Sequence, residues 1–162
     1  MEKEFIRACE DGNLERVKEL LAKGVDPLYN DNYAIQQTSQ YDHTKIVKML
    51  LADPRADPRV DPSDDDNYAI RHSIRKDHIE ILKLLLQDQR IDASADNNIA
   101  IKLASNKIET LRLLIDWYIE KKRLFKLVND LRKVKEIGDE IAQHDSRFAK
   151  YWKVQKSTLL DI

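Results

Sequence analysis

The stretch NYAIRHSIRKDHIEILKLLL, residues 67–86, contains two short apolar segments separated by a polar turn. In the first segment small and apolar residues recur at helical spacing, with polar residues between them. The second segment is apolar on most sides, which is typical of a helix buried against other helices. Each predicted helix is shorter than the roughly 12 to 15 residues that an isolated helix needs for stability, so the pair must pack against further copies of itself.

Copies of this pattern lie on both sides of the stretch. The first helices of three copies begin with NYAI, NYAI and NIAI at residues 32, 67 and 98. The second helices end with KELL, KMLL, KLLL and RLLI, which start at residues 18, 48, 83 and 112 and are therefore 30, 35 and 29 residues apart. A period of about 30 residues with a helix–turn–helix in each copy predicts an α-helical solenoid.

The copies resemble ankyrin repeats. The matches are to the leucine of the T-P-L-H-x-A signature (Ile35, Ile70, Ile101), to its alanine (Thr38, Ser73, Ala104), and to the histidine and glutamate of the G-H-x-E opening of the second helix (His43, His78, Glu15, Glu80, Glu109). The glycine of that opening survives as Gly12 and is replaced by Asp42 and Asp77. In style the repeats are similar to the divergent ankyrin proteins of giant viruses and their amoebal hosts.

The resemblance implies an all-α, ankyrin-type helix-turn-helix solenoid of about four repeats with a C-terminal helical cap. Residues 1–118 would hold the repeats, at about 2–22, 32–53, 67–88 and 98–118. Residues 119–162 form an amphipathic segment, either one helix or two helices broken near Gly138, that caps the stack or docks to a partner. Three Asp-Pro pairs within residues 53–66 predict an enlarged, exposed loop.

Charge and cysteine content indicate the setting in which the protein works. The net charge is −1, with 17 basic and 21 acidic residues in 1–115 and 11 basic and 8 acidic residues in 116–162. We therefore expect no nucleic-acid partner. No apolar run approaches the roughly 20 residues of a membrane span, so we expect no membrane partner. The single cysteine, Cys9, permits no intramolecular disulfide and suits the cytoplasm, of an infected host cell if the protein is viral.

No motif in the sequence predicts catalysis or metal binding. The phosphate-binding, dinucleotide-binding and G-x-S-x-G motifs are missing, and cysteine and histidine do not occur at the spacing of zinc ligands. The acidic run at residues 61–66 lacks the glycine and glutamate of an EF-hand loop. We therefore predict no catalytic residues, no metal site, no cofactor and no enzymatic activity.

The ankyrin resemblance implies a concave face formed by polar positions of the first helices. The partner-binding residues predicted on that face are Tyr33, Gln37, Tyr68, Arg71, His72, Arg75 and Lys102. Tyrosine and arginine are frequent interface anchors, and the basic residues would favour an acidic peptide. In the competing interpretation, the tyrosines pack structurally at the loop–helix junctions and the charges form a solvated face.

We therefore expect a non-catalytic protein–protein interaction module or adaptor that binds an unidentified protein or peptide through its concave repeat surface. The alternative is an adaptor or dimer that uses the C-terminal amphipathic helices as its binding element. The first interpretation predicts a monomer in solution.

Overall fold

The computed structural model describes residues 1–53, 64–89, 91–93, 95–125 and 128–160. These residues form ten α-helices and no strand: α1 Glu2–Glu10, α2 Leu14–Ala22, α3 Tyr29–Gln40, α4 Thr44–Leu51, α5 Asp64–Lys76, α6 Ile79–Gln87, α7 Ala95–Leu103, α8 Ile108–Phe125, α9 Val128–His144 and α10 Ser146–Leu160. Residues 54–63, the greater part of the predicted Asp-Pro loop, lie outside the described residues. The predicted all-α solenoid is confirmed.

The turn between the two helices of a repeat has the same backbone structure in the first three repeats. Gly12, Asp42 and Asp77 occupy its corner with φ of +69°, +63° and +64°. The residue after each corner donates its N–H to the carbonyl five positions earlier, at 2.9 Å in all three turns (Asn13 to Ala8, His43 to Thr38, His78 to Ser73). Aspartate is among the non-glycine residues enriched in this left-handed region, so it replaces the family's glycine without changing the turn.

Two first helices contain a second left-handed corner at the asparagine of NYAI. Asn32 has φ of +59° and Asn67 has φ of +61°. Both asparagines are buried, and the side-chain amide of Asn67 donates to the carbonyl of Asp92 at 3.2 Å. Asparagine tolerates this conformation better than most residues, which accounts for its place before the tyrosine of the motif.

The first helices α1, α3, α5 and α7 form an inner row, and α2, α4, α6 and α8 form an outer row. The inner helices approach one another more closely than the outer helices do, so the stack curves with the inner row on its concave side. Ile35, Ile70 and Ile101, at the signature leucine position, are fully buried between the rows. Burial of each such side chain contributes about 1.5 to 3 kcal/mol to stability.

A basic side chain at the start of each later outer helix links its repeat to the preceding one. Nε2 of His43 donates to the carbonyl of Glu10 at 2.8 Å, and Nδ1 of His78 donates to the carbonyl of Ser39 at 3.0 Å. Lys107 takes the same place in the fourth repeat, where Nζ donates to the carbonyl of Arg75 at 2.9 Å. The links occupy carbonyls near the ends of the inner helices, which have no partner within the helix.

Helices α9 and α10 form a hairpin that packs on α8. Asp145 ends α9 and caps α10, because its Oδ1 accepts from the N–H groups of Arg147 at 2.8 Å and Phe148 at 2.9 Å. These backbone donors, that of Phe148 first, lower the pKa of Asp145. The rings of Phe148 and Trp152 stack with centroids 6.2 Å apart, and both are buried.

Tyr151 joins this hairpin to the last outer helix. Its hydroxyl lies 2.8 Å from Oδ1 of Asp116 and 3.2 Å from the carbonyl of Arg112, both in α8. The guanidinium of Arg112 lies over the Tyr151 ring, 5.0 Å from its centroid. Burial, and then the hydrogen bond to Asp116, raise the pKa of Tyr151 well above its usual range.

The helix boundaries differ from the predicted ones in the C-terminal part. Helix α8 continues beyond residue 118 to Phe125, and α9 runs through Gly138 without interruption. The break between the last two helices falls at Asp145 instead of near Gly138. Gly138 has another role, because a Cβ added there would overlap the indole ring of Trp152. The missing side chain lets the two helices of the hairpin approach each other.

Candidate partner-binding surface

The seven residues predicted to bind a partner all lie on inner helices, and they differ in how much surface they expose. Arg75 and Lys102 are exposed, whereas Tyr33, Tyr68, Arg71 and His72 are half-buried. Gln37 is only 6% exposed and therefore offers little surface to a partner. Gln37 lies on α3, which packs closely against both α1 and α5, and this packing accounts for its burial.

The two tyrosines of the NYAI motifs lie at equivalent junctions between repeats. Tyr68 donates from its hydroxyl to Oε1 of Gln40 on α3, at 2.6 Å. Tyr33 lies near Glu10 on α1, and burial, followed by the negative charge of Glu10, raises the pKa of Tyr33. Each tyrosine thus contacts the inner helix of the preceding repeat while keeping part of its ring at the surface. The structural interpretation of these tyrosines and the interface interpretation are therefore compatible.

Several side chains of helix α5 contact one another. The ring of His72 stacks on the ring of Tyr68, with centroids 4.0 Å apart and an interplanar angle of 16°. Nη1 of Arg75 lies 3.5 Å from Nε2 of His72, one helical turn further along. The result is a row of aromatic and cationic groups along one side of α5.

Charge is distributed unevenly along the inner row. Helix α1 mixes both signs, and α3 has no charged residue between Asn32 and Gln40. On α5 and α7 the described side chains include four cations and no carboxylate (Arg71, Arg75, Lys76 and Lys102). The aspartates of these two helices, residues 64–66 and Asp96, occupy their N-terminal ends.

Lys76 and Tyr41 are surface residues that the sequence analysis did not select. Lys76 is the last residue of α5 and is exposed, and Tyr41 follows α3 with 51% of its surface exposed. Both precede the left-handed corners at Asp42 and Asp77. Because these aspartates are equivalent to Gly12, the sequence indicates that α3 and α5 end just before them. Tyr41 and Lys76 could on that basis have been predicted as surface residues at the ends of the two helices.

A groove of about 520 Å³ lies between the end of α7 and the C-terminal hairpin. Its lining includes Lys102 from the repeats together with Glu140, His144 and Asp145 from the hairpin. Because both signs of charge line it, the groove selects no class of ligand by charge. Within the described parts of the chain, no group of three or more histidine, cysteine or carboxylate side chains could hold a metal ion.

The single thiol of the chain lies in the core of the first repeat. Cys9 is fully buried, and this burial raises its pKa to about 12. The thiol is therefore protonated and inert in the folded protein at neutral pH. Among the described helices, none has the length and hydropathy needed to cross a membrane.

Fold and surface together define an α-helical solenoid built from stacked helix–turn–helix repeats. The family model for ankyrin repeats in three copies matches residues 5–97 and 37–124, so the chain belongs to the ankyrin repeat family. Ankyrin repeats are in general protein–protein interaction modules, and the family is typically non-catalytic. Searches of curated proteins and of solved structures found no match to the chain.

Proposed function

We propose that this chain is a non-catalytic interaction module that binds a protein partner through its inner-helix face, meaning the exposed side chains of α1, α3, α5 and α7. The observation that carries the proposal is the alignment of these helices in one closely packed row on the concave side. Side chains from successive repeats thereby form one continuous surface, which a folded domain or a peptide could contact at several points.

Rigidity supports this mode of binding. The inner helices are tied to the neighbouring repeat by His43, His78 and Lys107 and by the hydroxyl of Tyr68. A surface that is ordered before binding loses little conformational entropy in the complex, so more of the contact energy appears as affinity. The candidate contacts are Tyr33, Tyr68, Arg71, His72, Arg75 and Lys102, to which the structure adds Lys76 and Tyr41.

The C-terminal hairpin is assigned to capping in this proposal. Its large aromatic side chains Phe148 and Trp152 are buried, and Tyr151 is engaged with α8. Among the described residues of the hairpin, Val154 is the one large hydrophobic side chain that is exposed. The described side chains of the hairpin thus offer little apolar surface for the alternative function, an adaptor or dimer joined through the C-terminal helices. Sedimentation equilibrium separates the two, because capping predicts the monomer mass at all concentrations.

The cytoplasm is the compartment that we propose, since a lone buried thiol suits a reducing environment. The viral origin suggested by the style of the repeats stays a prediction, and with it the placement in an infected host cell.

Site-specific photo-crosslinking tests the proposed face. A photoreactive amino acid is placed at Arg75 or Lys102 on the inner row, at Lys48 on the outer row, or at Val154 on α10, all of them exposed positions. We expect a crosslinked protein partner from the two inner positions alone. Crosslinks that form only from Lys48 or Val154 would move the binding site off the inner row and contradict the proposal.

A further inference from the structure

We infer that the partner segment bound by α5 and α7 is acidic: a stretch of protein rich in aspartate and glutamate that lies across Arg71, Arg75, Lys76 and Lys102. This inference rests on the proposed function, because it names the chemistry of the partner at that same inner-helix face. The four side chains are hereafter called the basic inner patch.

The first support concerns three of the four cations of the patch. Arg75, Lys76 and Lys102 are exposed, and none of them forms an ion pair within the described parts of the chain. Exposed cations elsewhere are often neutralised by close carboxylates, as Lys18 is by Glu15 at 2.8 Å and Lys83 is by Glu80 at 2.7 Å. An anionic partner can therefore approach Arg75 and Lys76 directly, and at Lys102 it competes with Glu140 and Asp145, which line the same groove.

A further cation lies beside the patch. Nζ of Lys107, at the start of α8, donates to the backbone carbonyl of Arg75 at 2.9 Å. Asp77 is the carboxylate close to this group, at 3.9 Å from Nζ of Lys107, and its Oδ1 also accepts from the hydroxyl of Thr110 at 2.9 Å. Asp77 therefore offsets the charge of Lys107, and the positive potential at this site comes from the patch itself.

Helix dipoles account for only part of this arrangement. Arg75, Lys76 and Lys102 lie in the last turns of α5 and α7, where a cation gains about 0.3 to 1 kcal/mol from the helix macrodipole. Arg71 lies one turn earlier on the same side of α5 as Arg75, where the dipole effect has faded. A guanidinium pair on one helix and an ammonium on the next, with helix axes about 8 to 10 Å apart, matches several carboxylates of one extended segment.

An acidic protein segment fits better than a nucleic acid. The chain has a net charge of −1, so no long-range attraction draws it to a polyanion. Asp64, Asp65 and Asp66 begin the same helix that ends with the basic patch, about 15 Å away along its axis. A polyanion longer than the patch would therefore reach the acidic N-terminal turn of α5, whereas a short acidic segment can remain within the patch.

The test uses fluorescence anisotropy with a labelled peptide of alternating glutamate and serine. Its matched control has glutamine in place of every glutamate. The full-length chain is compared with an inner variant, Arg75→Gln, Lys76→Gln and Lys102→Gln, and with an outer variant, Lys45→Gln, Lys48→Gln and Lys83→Gln. Both variants remove three exposed or part-exposed positive charges, so a general electrostatic effect would weaken them equally. Thermal melts confirm that both fold as the wild type does.

We expect the acidic peptide to bind the wild type and the outer variant alike, to bind the inner variant about tenfold or more weakly, and to lose affinity as salt rises. The glutamine peptide should show no comparable affinity. Equal binding of both peptides, equal losses in both variants, or no binding at low ionic strength would overturn the acidic assignment. Tighter binding of a labelled single-stranded oligonucleotide would also overturn it, in favour of nucleic acid.

The crosslinking experiment keeps this failure distinct from failure of the proposed function. If a protein crosslinks from Arg75 and Lys102 while the acidic peptide does not bind, the inner-helix face remains the binding surface and only the acidic chemistry is wrong. If neither result is obtained, both proposals fall.

Discussion

The repeats are joined to one another by contacts that recur, whereas the C-terminal hairpin is joined to the last repeat by contacts that occur once. His43 and His78 bond carbonyls of the preceding repeat from equivalent positions, and Tyr33 and Tyr68 occupy equivalent junctions. The hairpin depends instead on Tyr151 against α8 and on Trp152 against Gly138. Loss of one link in the repeats leaves similar links in place, whereas loss of a link in the hairpin has no substitute.

The largest loss of stability is expected from Trp152→Ala. The indole is 3% exposed and its Nε1 donates to Oδ1 of Asp139 at 2.8 Å. Truncation therefore leaves a cavity and removes one of two donors to that oxygen, the other being Nζ of Lys156 at 2.6 Å. The free energy of unfolding should fall by about 3 to 5 kcal/mol, measured by urea denaturation. Tyr41→Ala, which removes an exposed aromatic ring, is the control and should change it by less than about 0.5 kcal/mol. Similar losses in the two variants would contradict the assignment of Trp152 to the core of the hairpin.

Gly138→Ala should lower stability next most strongly, against what helix propensity alone predicts. Propensity favours alanine by about 1 kcal/mol inside a helix. Because the added Cβ would overlap the ring of Trp152, overpacking should outweigh that gain and leave a net loss of about 1 to 2 kcal/mol.

Trp152→Ala supplies the control background for Gly138→Ala. With the indole removed, the same change should become stabilising, and this reversal of sign is read from the two urea curves. A gain in stability from Gly138→Ala in the wild-type background would show that the two helices are not held together at this point.

Removal of a recurring link should have a smaller effect. His43→Ala leaves the carbonyl of Glu10 without its partner and should cost about 1 kcal/mol. Because Glu10 adjoins Cys9, whose pKa burial raises to about 12, opening of the first repeat can be followed by alkylation of the thiol.

Alkylation at neutral pH should be faster in His43→Ala than in the wild type, and unchanged in the control His144→Ala, whose side chain is exposed. If Trp152→Ala accelerated alkylation as much as His43→Ala does, opening of the hairpin would extend to the first repeat. That result would contradict the difference drawn between the junctions of the repeats and the junction of the hairpin.

The smallest change in stability is expected from the residue that caps α10, and it depends on pH. The folded pKa of Asp145 lies below its unfolded value, so its charge stabilises the protein above about pH 4 and this contribution is lost as the pH falls through the folded pKa. Asp145→Asn keeps an oxygen acceptor but removes the charge. The variant should be slightly less stable at neutral pH and should lose less stability on acidification. Parallel pH profiles for wild type and variant, from thermal melts, would contradict this role.

The recurring part of the molecule could be predicted from the sequence because recurrence is visible in one chain. The NYAI starts and the leucine-rich endings located the repeats, and Asp42 and Asp77 could be equated with Gly12. The contacts of the hairpin have no such signal. Nothing local to Gly138 indicates that Trp152 fills the space beside it, so the glycine suggested a helix break that the structure places at Asp145.

The candidate surface likewise contains residues that the sequence could place and residues that it could not. The positions of Arg75 and Lys102 follow from helical periodicity, and both are exposed. The burial of Gln37 depends on how closely neighbouring inner helices approach, which composition does not reveal. Lys76 was missed because it adjoins the turn at Asp77, although the equivalence of Asp77 with Gly12 indicates that α5 ends there.

The most direct test of the account is a residue-by-residue map of binding, by two-dimensional amide NMR during titration with the glutamate–serine peptide. We predict that signals from the C-terminal halves of α5 and α7 shift with the added peptide, while signals from α4, α6 and α10 stay in place. Shifts confined to the outer helices or to the hairpin would contradict the claim that the inner-helix face is the binding surface.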